Sequence, residues 1–133
     1  MIVVDTTVWI DHLNEATTPQ VRLLRRIIGG RLASLIVGDL VLCEVLQGLA
    51  TEREARLVGN ALRRFTVAPV VNESLAVEAA ANYRALRSRG ITVRKTIDLL
   101  IGTFCIAHRH ALLHNDRDYD PMERYLGLTV LHP

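Results

Sequence analysis

Residues 2–10 of the chain read IVVDTTVWI. The β-branched run Ile2–Val4 is typical of a short buried strand, and Asp5 places an acidic side chain at the carboxyl end of that strand. A short helix through Trp9 is expected to follow. The chain therefore opens with a strand and a helix that carry a charge to the edge of a sheet.

Further along the chain, strand-like and helix-like segments alternate. Strands are predicted at residues 35–37, 65–68, 111–113 and 129–131. Helices are predicted at residues 19–28, 40–49, 52–64, 73–89, 97–107 and from Asp120 onward. This alternation predicts an α/β domain of three layers, α/β/α, around a short central parallel sheet of about four or five strands.

Several helix ends are marked by capping residues. Thr51 with Glu54 has the spacing of a capping box, and Asn72 is a typical N-cap of the long helix that follows it. Asp120 with Glu123 has the same spacing as the first pair, with Pro121 at the expected first helical position. These signals predict where three of the helices begin.

Composition limits the possible classes of protein. A chain of 133 residues fits one domain, 1–133, and 50% hydrophobic residues predict a real core. The net charge of +2 is too small to identify a nucleic-acid binder. Lys95 is the sole lysine among the 16 basic residues. Arginine suits bidentate phosphate contacts, although a GC-rich genome explains the same bias.

The two cysteines, Cys43 and Cys105, both lie in apolar segments. A free thiol in such a place behaves as a small hydrophobic group, so neither a disulfide framework nor a zinc site is expected. No charged leader or membrane-length apolar stretch is visible in the sequence. These features favour a reducing, cytoplasmic environment.

The most informative residues are acids in places where the pattern calls for apolar side chains. Asp5 ends the first strand, and Asp116 follows the fourth. Glu44 and Asp98 are each the only charge in an apolar helical segment, at residues 40–46 and 96–107. Because functional groups in open α/β sheets collect beyond the carboxyl ends of the strands, these four acids are expected to converge.

Converging carboxylates need cations. Two like charges about 4 Å apart repel by roughly 4 kcal/mol at an effective dielectric constant near 20. Oxygen ligands without a cysteine or a histidine pair favour magnesium, with manganese as a substitute. Such an ion activates water and stabilises charge on a phosphate, so the predicted chemistry is phosphodiester hydrolysis.

Each acid also has an ordinary structural explanation. Asp5 could cap the first helix, Glu44 could pair with a buried arginine, and Asp98 could interact with the dipole of its own helix. Asp116 and Asp118 could be turn residues. The joint placement of the acids favours a site.

Hydroxyl groups lie beside two of the acids. Thr6 and Thr96 are predicted to support the site by orienting water or a carboxylate, and Thr96 is the better candidate because it precedes Asp98 by two residues. For Thr7, a capping role is preferred. The histidines near the fourth strand have no spacing typical of a metal motif.

In order along the chain, residues 2–10, 37–48, 96–102 and 114–120 resemble the four motifs of PIN-domain nucleases, specifically the VapC-type toxins of bacterial toxin–antitoxin pairs. The resemblance covers the whole chain. It departs from the usual pattern at Gly102, where alanine is common, and at Tyr119, where phenylalanine is common.

The resemblance implies a set of residue roles. The acids that match Asp5, Glu44, Asp98 and Asp116 hold magnesium in a site that cleaves RNA, and Asp118 matches a less constant fifth acid. It also implies a homodimer and a cognate VapB-type antitoxin whose tail occupies the active-site groove. Basic residues before the third motif are expected to guide RNA toward Asp98; they are Arg87, Arg89, Arg94 and Lys95.

The predicted function is therefore that of a magnesium-dependent endoribonuclease toxin. A housekeeping PIN-domain nuclease for RNA processing is the main alternative, and a non-catalytic PIN-like binding module is a third. Haloacid-dehalogenase-like phosphatases need a second aspartate where this chain has Thr7, so this alternative fits poorly. Receiver domains want a lysine late in the chain, which Lys95 does not supply.

Overall fold

The computed structural model describes residues 1–30 and 34–133. In this part of the chain the strands are β1 (Ile2–Val4), β2 (Leu35–Gly38), β3 (Thr66–Ala68), β4 (Ala111–Leu113) and β5 (Thr129–Val130). The helices are α1 (Thr6–Leu13), α2 (Pro19–Gly30), α3 (Asp39–Gln47), α4 (Glu52–Leu62), α5 (Glu73–Arg87), α6 (Thr96–His108) and α7 (Asp120–Leu126). A single 3₁₀ turn, Arg117–Tyr119, precedes α7.

The five strands form one parallel sheet in the order β3-β2-β1-β4-β5. This confirms the predicted α/β class and the strand number. From β1 the chain builds outward to β3 on one side and then returns to build β4 and β5 on the other. The direction therefore reverses between β1 and β4, which is where ligands bind in open α/β sheets.

The helices pack in two groups. Helix α1 contacts α2 and α3, and α3 contacts α4. Helix α5 contacts α6 and α7. Right-handed crossovers put helices on opposite faces of a sheet when the direction of building reverses, so these groups are the two outer layers.

The central strands are apolar because both of their faces are covered. Val4, Val37, Leu112 and Leu113 are inaccessible to solvent, whereas the edge strand β3 is partly exposed. Helix α6 is buried over most of its length, which explains its nearly uniform apolar sequence. No helix within the described ranges is long and apolar enough to cross a membrane.

Two of the predicted helix caps are present. Thr51 Oγ1 accepts a hydrogen bond from the Glu54 N–H at 3.1 Å, and Asn72 Oδ1 accepts one from the Leu75 N–H at 2.9 Å. The predicted cap at Asp120 is wrong: Asp120 lies inside α7, whose N-cap is Tyr119 and lacks a side-chain cap bond. The preceding 3₁₀ turn runs straight into α7, so the chain does not open into the extended conformation that a capping residue needs.

Candidate active site

The four predicted acids come from four different elements around the carboxyl edge of the sheet. Asp5 directly follows β1, and Asp116 follows β4. Glu44 lies in α3, and Asp98 lies in the first turn of α6. Burial raises the pKa of Asp98 most, and the charges of the other three acids raise it further. The fold therefore brings all four acids into one electrostatic neighbourhood, and we call them, together with Asp118, the acid cluster.

Asp5 is both a helix cap and a member of the acid cluster. Its Oδ2 accepts hydrogen bonds from the Thr7 hydroxyl at 2.7 Å and from the Thr7 N–H at 3.3 Å, which caps α1. Its Oδ1 accepts a hydrogen bond from the Tyr119 hydroxyl at 2.8 Å. The structural role and the site role use different oxygens of one carboxylate, so they are compatible.

Among the described residues, Asp98 is the acid of the cluster with a buried carboxylate oxygen that no hydrogen bond satisfies. It is only 7% exposed, and its Oδ2 is buried without a hydrogen-bond partner among the described residues. Burial, followed by the charges of Asp5 and Asp116, raises its pKa to about 6, while Lys95 opposes the shift. A cation beside this oxygen would satisfy it and lower that pKa, so the residue fits a metal ligand.

Asp116 and Asp118 complete a possible ligand set for Asp98. The three residues each offer a carboxylate oxygen, and these oxygens lie within 4.8 Å of one another. Asp116 Oδ1 also accepts the Asp118 N–H at 2.9 Å and caps the 3₁₀ turn. This set consists of oxygen atoms only, which suits a hard divalent cation.

Glu44 is held by a threonine. The Thr6 hydroxyl donates to Glu44 Oε1 at 2.7 Å, and no arginine forms an ion pair with Glu44 within the described part of the chain. Thr96, the other predicted supporting hydroxyl, is exposed and lines a separate groove beside Tyr83 and Leu100. Within the described part of the chain, the hydroxyl of Thr6, but not that of Thr96, forms a hydrogen bond with an acid of the cluster.

Basic residues line a cleft of about 660 Å³ beside the acid cluster. Arg94, Lys95 and Arg117 lie along this cleft together with Asp116 and Asp118. Arg87 and Arg89, which were also predicted to guide RNA, lie elsewhere. The Arg87 guanidinium is 5.7 Å from the Tyr83 ring centroid, and that of Arg89 is 4.3 Å from the Tyr125 ring centroid.

Sequence reasoning missed the role of two side chains. Tyr119 is fully buried, and its hydroxyl lies between Asp5 and Asp98, at 2.8 and 3.4 Å. Arg117 lines the cleft but was read only as part of a motif. Tyrosine in place of the usual phenylalanine of the resembled motif was the available signal, since a buried phenol hydroxyl needs a partner.

The model of the PIN domain family matches residues 2–125, which include all five acids of the acid cluster. The chain belongs to the PIN domain family. The resemblance found in the four motifs is thereby confirmed.

Individual relatives of this PIN domain are similar to it in sequence over nearly its whole length. It is 27% identical over 133 residues to ribonuclease VapC11 of Mycobacterium tuberculosis, covering 98% of this chain and 97% of that protein. It is 27% identical to the VapC ribonuclease Mb1587 of Mycobacterium bovis, with the same coverage.

Solved structures share the fold. One is VapBC2 from Rickettsia felis bound to a promoter DNA fragment, with a TM-score of 0.77, 17% identity and 98% coverage of each chain. Another is a toxin–antitoxin complex from Klebsiella pneumoniae, with a TM-score of 0.73, 16% identity, and coverage of 100% of this PIN domain and 98% of that chain.

Proposed function

We propose that this PIN domain is a magnesium-dependent endoribonuclease and the toxin of a VapBC-type pair. One observation carries the proposal: Asp98 has a buried oxygen without a hydrogen-bond partner among residues 1–30 and 34–133, and it belongs to a set of acids that can share a cation. Manganese is a plausible substitute because it accepts the same oxygen ligands. The names of the curated relatives, which are ribonucleases, support the proposed activity.

Each part of the site has a defined task in this proposal. A bound divalent cation supplies an activated water and stabilises charge on the phosphate. Asp98, Asp116 and Asp118 would hold the ion, while Asp5 and Glu44 add negative charge around it. Arg94 and Lys95, which line the adjacent cleft, would bind the RNA backbone. Arg87 and Arg89 lie away from that cleft, so we expect them to contribute less to RNA binding than Arg94 and Lys95.

Cleavage of total RNA tests the proposed activity. The purified protein is incubated with magnesium and then with an excess of chelator, and the cut sites are mapped. We expect cleavage with magnesium, none after chelation, and none with Asp98→Asn, whose fold is checked by circular dichroism. Cleavage by Asp98→Asn at the parent rate would overturn the site.

Expression in a bacterial host separates a toxin from a housekeeping nuclease. The parent chain is expected to arrest growth, and Asp98→Asn is expected to relieve the arrest. Equal growth of the two strains, with cleavage retained in vitro, would favour the RNA-processing alternative. A protein that neither cleaves nor arrests growth would be the non-catalytic module.

The proposed partner is an antitoxin. The solved toxin–antitoxin complexes with this fold support that proposal. An apolar groove of about 750 Å³ between α1, α2 and α4 offers an anchor for an amphipathic segment, with Trp9, Ile28 and Phe65 on its walls. Arg64 also lines the groove, so we expect acidic residues on the segment.

Binding to the product of the neighbouring short reading frame tests this partner. Ile28 is 40% exposed, so Ile28→Asp should weaken binding without disturbing the core. Val77→Asp is the matched control, because Val77 is 65% exposed on α5, outside the groove. RNA cleavage should survive both substitutions. Equal binding by all three proteins would remove the groove from the proposal.

Two remaining parts of the proposal concern assembly and location. The homodimer is an expectation from the family resemblance, and light scattering of the purified chain measures it. A cytoplasmic location is supported by the cysteines, since Cys43 and Cys105 are both free thiols.

A further inference from the structure

A fully buried phenol hydroxyl lies beside the acid cluster. Tyr119 is inaccessible to solvent, and its hydroxyl lies 2.8 Å from Asp5 Oδ1 and 3.4 Å from Asp98 Oδ1. A phenol has one proton to donate. The shorter distance assigns that proton to Asp5, while the oxygen of Asp98 makes the longer contact.

We propose that Tyr119 is a positioning residue, which uses this hydroxyl to hold Asp5 in place beside Asp98 before a divalent cation arrives. The inference rests on the metal-dependent activity proposed above. It assigns unequal roles to the two carboxylates, which their equal charge alone would not distinguish.

The two carboxylates differ in how the protein satisfies them. Asp5 is held at both oxygens, by Tyr119 on one side and by Thr7 on the other. Asp98 receives only the longer contact from Tyr119, and its second oxygen has no partner within the described ranges. Asp5 is therefore fixed by the protein, and Asp98 retains the free oxygen that a cation can bind.

The hydroxyl also lies where two negative charges would otherwise face each other. Its proton, which is donated to Asp5, offsets part of the charge on that carboxylate and so reduces its repulsion with Asp98 while the metal is absent. Burial and the charges of Asp5 and Asp98 raise the pKa of Tyr119 well above its usual value, so the hydroxyl stays protonated.

The ring of Tyr119 is held by its neighbours. The His114 ring packs against it with centroids 4.8 Å apart. On α6, a Cβ built on Gly102 would lie 2.3 Å from Met122 Cε and 3.8 Å from Tyr119 Cδ1. The missing side chain lets Met122 lie against α6 beside Tyr119. The two departures from the resembled motifs, Gly102 and Tyr119, thus meet at one place.

Tyr119→Phe tests the proposal because it removes the hydroxyl and keeps the ring. Binding of Mn²⁺ to the chelator-treated, metal-free protein is measured by isothermal titration calorimetry, with folding checked by circular dichroism. Loss of groups that orient metal ligands typically weakens metal binding by about 10–100-fold, and we expect at least about a tenfold loss. Tyr125→Phe is the control: it makes the same chemical change at an exposed tyrosine on α7.

The outcomes separate this inference from the proposed function. Parent-like Mn²⁺ affinity in Tyr119→Phe overturns the positioning role even if RNA is cleaved. Weaker binding in Tyr119→Phe but not in Tyr125→Phe supports it, whether or not the parent cleaves RNA. A parent protein that binds neither Mn²⁺ nor Mg²⁺ overturns both.

A double-mutant comparison covers the case in which Tyr119→Phe alone does not fold. In an Asp5→Asn background the buried charge on Asp5 is gone, so the second substitution removes a weaker, neutral bond. If Tyr119 acts through Asp5, adding Tyr119→Phe to Asp5→Asn should leave the Mn²⁺ affinity of that background nearly unchanged. A further tenfold loss, on the order of the expected single effect, would overturn the role.

Discussion

The acid cluster has an inner pair and an outer pair that are built in different ways. The inner pair, Asp5 and Asp98, is 2% and 7% exposed, and both carboxylates meet Tyr119. The outer pair, Asp116 and Asp118, is half-buried on the turn after β4. Asp116 is bound to the backbone of Asp118, two residues away. The inner pair depends on tertiary packing, whereas the outer pair depends on a local turn.

This difference has an electrostatic consequence. Burial is the largest cause of the raised pKa of Asp98, so the inner pair contains the charge that water stabilises least. A bound cation should therefore stabilise the charge of Asp98 more than the charge of any other acid in the cluster. Residues of the outer pair, which reach water, should be easier to replace.

RNA cleavage provides the strongest test of the difference between the inner and the outer pair. Groups that merely support a metal ligand typically contribute about 10–100-fold, so Asp98→Asn should lower RNA cleavage at least about 100-fold. Asp118→Asn should lower it only about tenfold, because water can replace a ligand that is only half-buried. Initial rates at saturating magnesium measure both. The reverse order would mean that the outer pair dominates the site.

The support for Glu44 tests whether contact or proximity in sequence matters more. Thr6→Val removes the 2.7 Å hydrogen bond to Glu44 and keeps the branched shape. We expect about a tenfold loss of cleavage. Thr96→Val is the matched control, since Thr96 is exposed and lines a different groove. A larger loss from Thr96→Val would restore the sequence-based preference for Thr96.

The stability of the metal-free protein should depend on pH through Asp98. Its folded pKa of about 6 lies above the ordinary value of 3.8, so the folded state binds the proton more tightly than the unfolded chain. Stability from this group is greatest below the ordinary pKa and falls as pH rises through about 6.

Urea denaturation of the chelated protein measures this effect. Asp98→Asn should stabilise the chain at about pH 8 by on the order of 1–3 kcal/mol, and this gain should shrink toward about pH 4. A gain for Asp98→Asn that is equal at both pH values would contradict the assignment.

The smallest expected effect concerns RNA binding beside the outer pair. Arg94→Ala should weaken binding a few-fold and reduce the slope of log affinity against log salt by about 0.7, the contribution of one single-strand phosphate contact. Fluorescence anisotropy in an Asp98→Asn background avoids cleavage. Arg89→Ala should change little, because Arg89 stacks on Tyr125. Equal slopes for the two variants would show that Arg94 makes no phosphate contact that Arg89 lacks.

Local sequence patterns predicted the elements well. The β-branched strand before Asp5 and the caps at Thr51 and Asn72 depend on neighbouring residues only, so a linear pattern is enough to recognise them. The cap predicted at Asp120 failed because the 3₁₀ turn before it, also a local feature, changes the backbone conformation that a cap requires.

The side-chain contacts of the site were harder to predict than the elements, because nearness along the chain did not indicate which residues touch. Thr96 is two residues from Asp98 yet makes no contact with an acid in the described structure, while Thr6 reaches Glu44 across 38 positions. Arg89 precedes the third motif closely, but its side chain turns to an aromatic ring on α7. Side-chain contacts of this kind follow from how elements pack, which sequence separation does not encode.

By itself, the sequence determined the α/β class, the order of the elements and the acids that interrupt apolar segments, because hydrophobic periodicity and capping act over a few residues. Only the tertiary structure decided that β1 and β4 lie side by side. The Tyr119 hydroxyl therefore lies between Asp5 and Asp98, while one oxygen of Asp98 has no hydrogen-bond partner among the described residues. The physical reason is that burial and repulsion between charges depend on distance in space, which the fold creates.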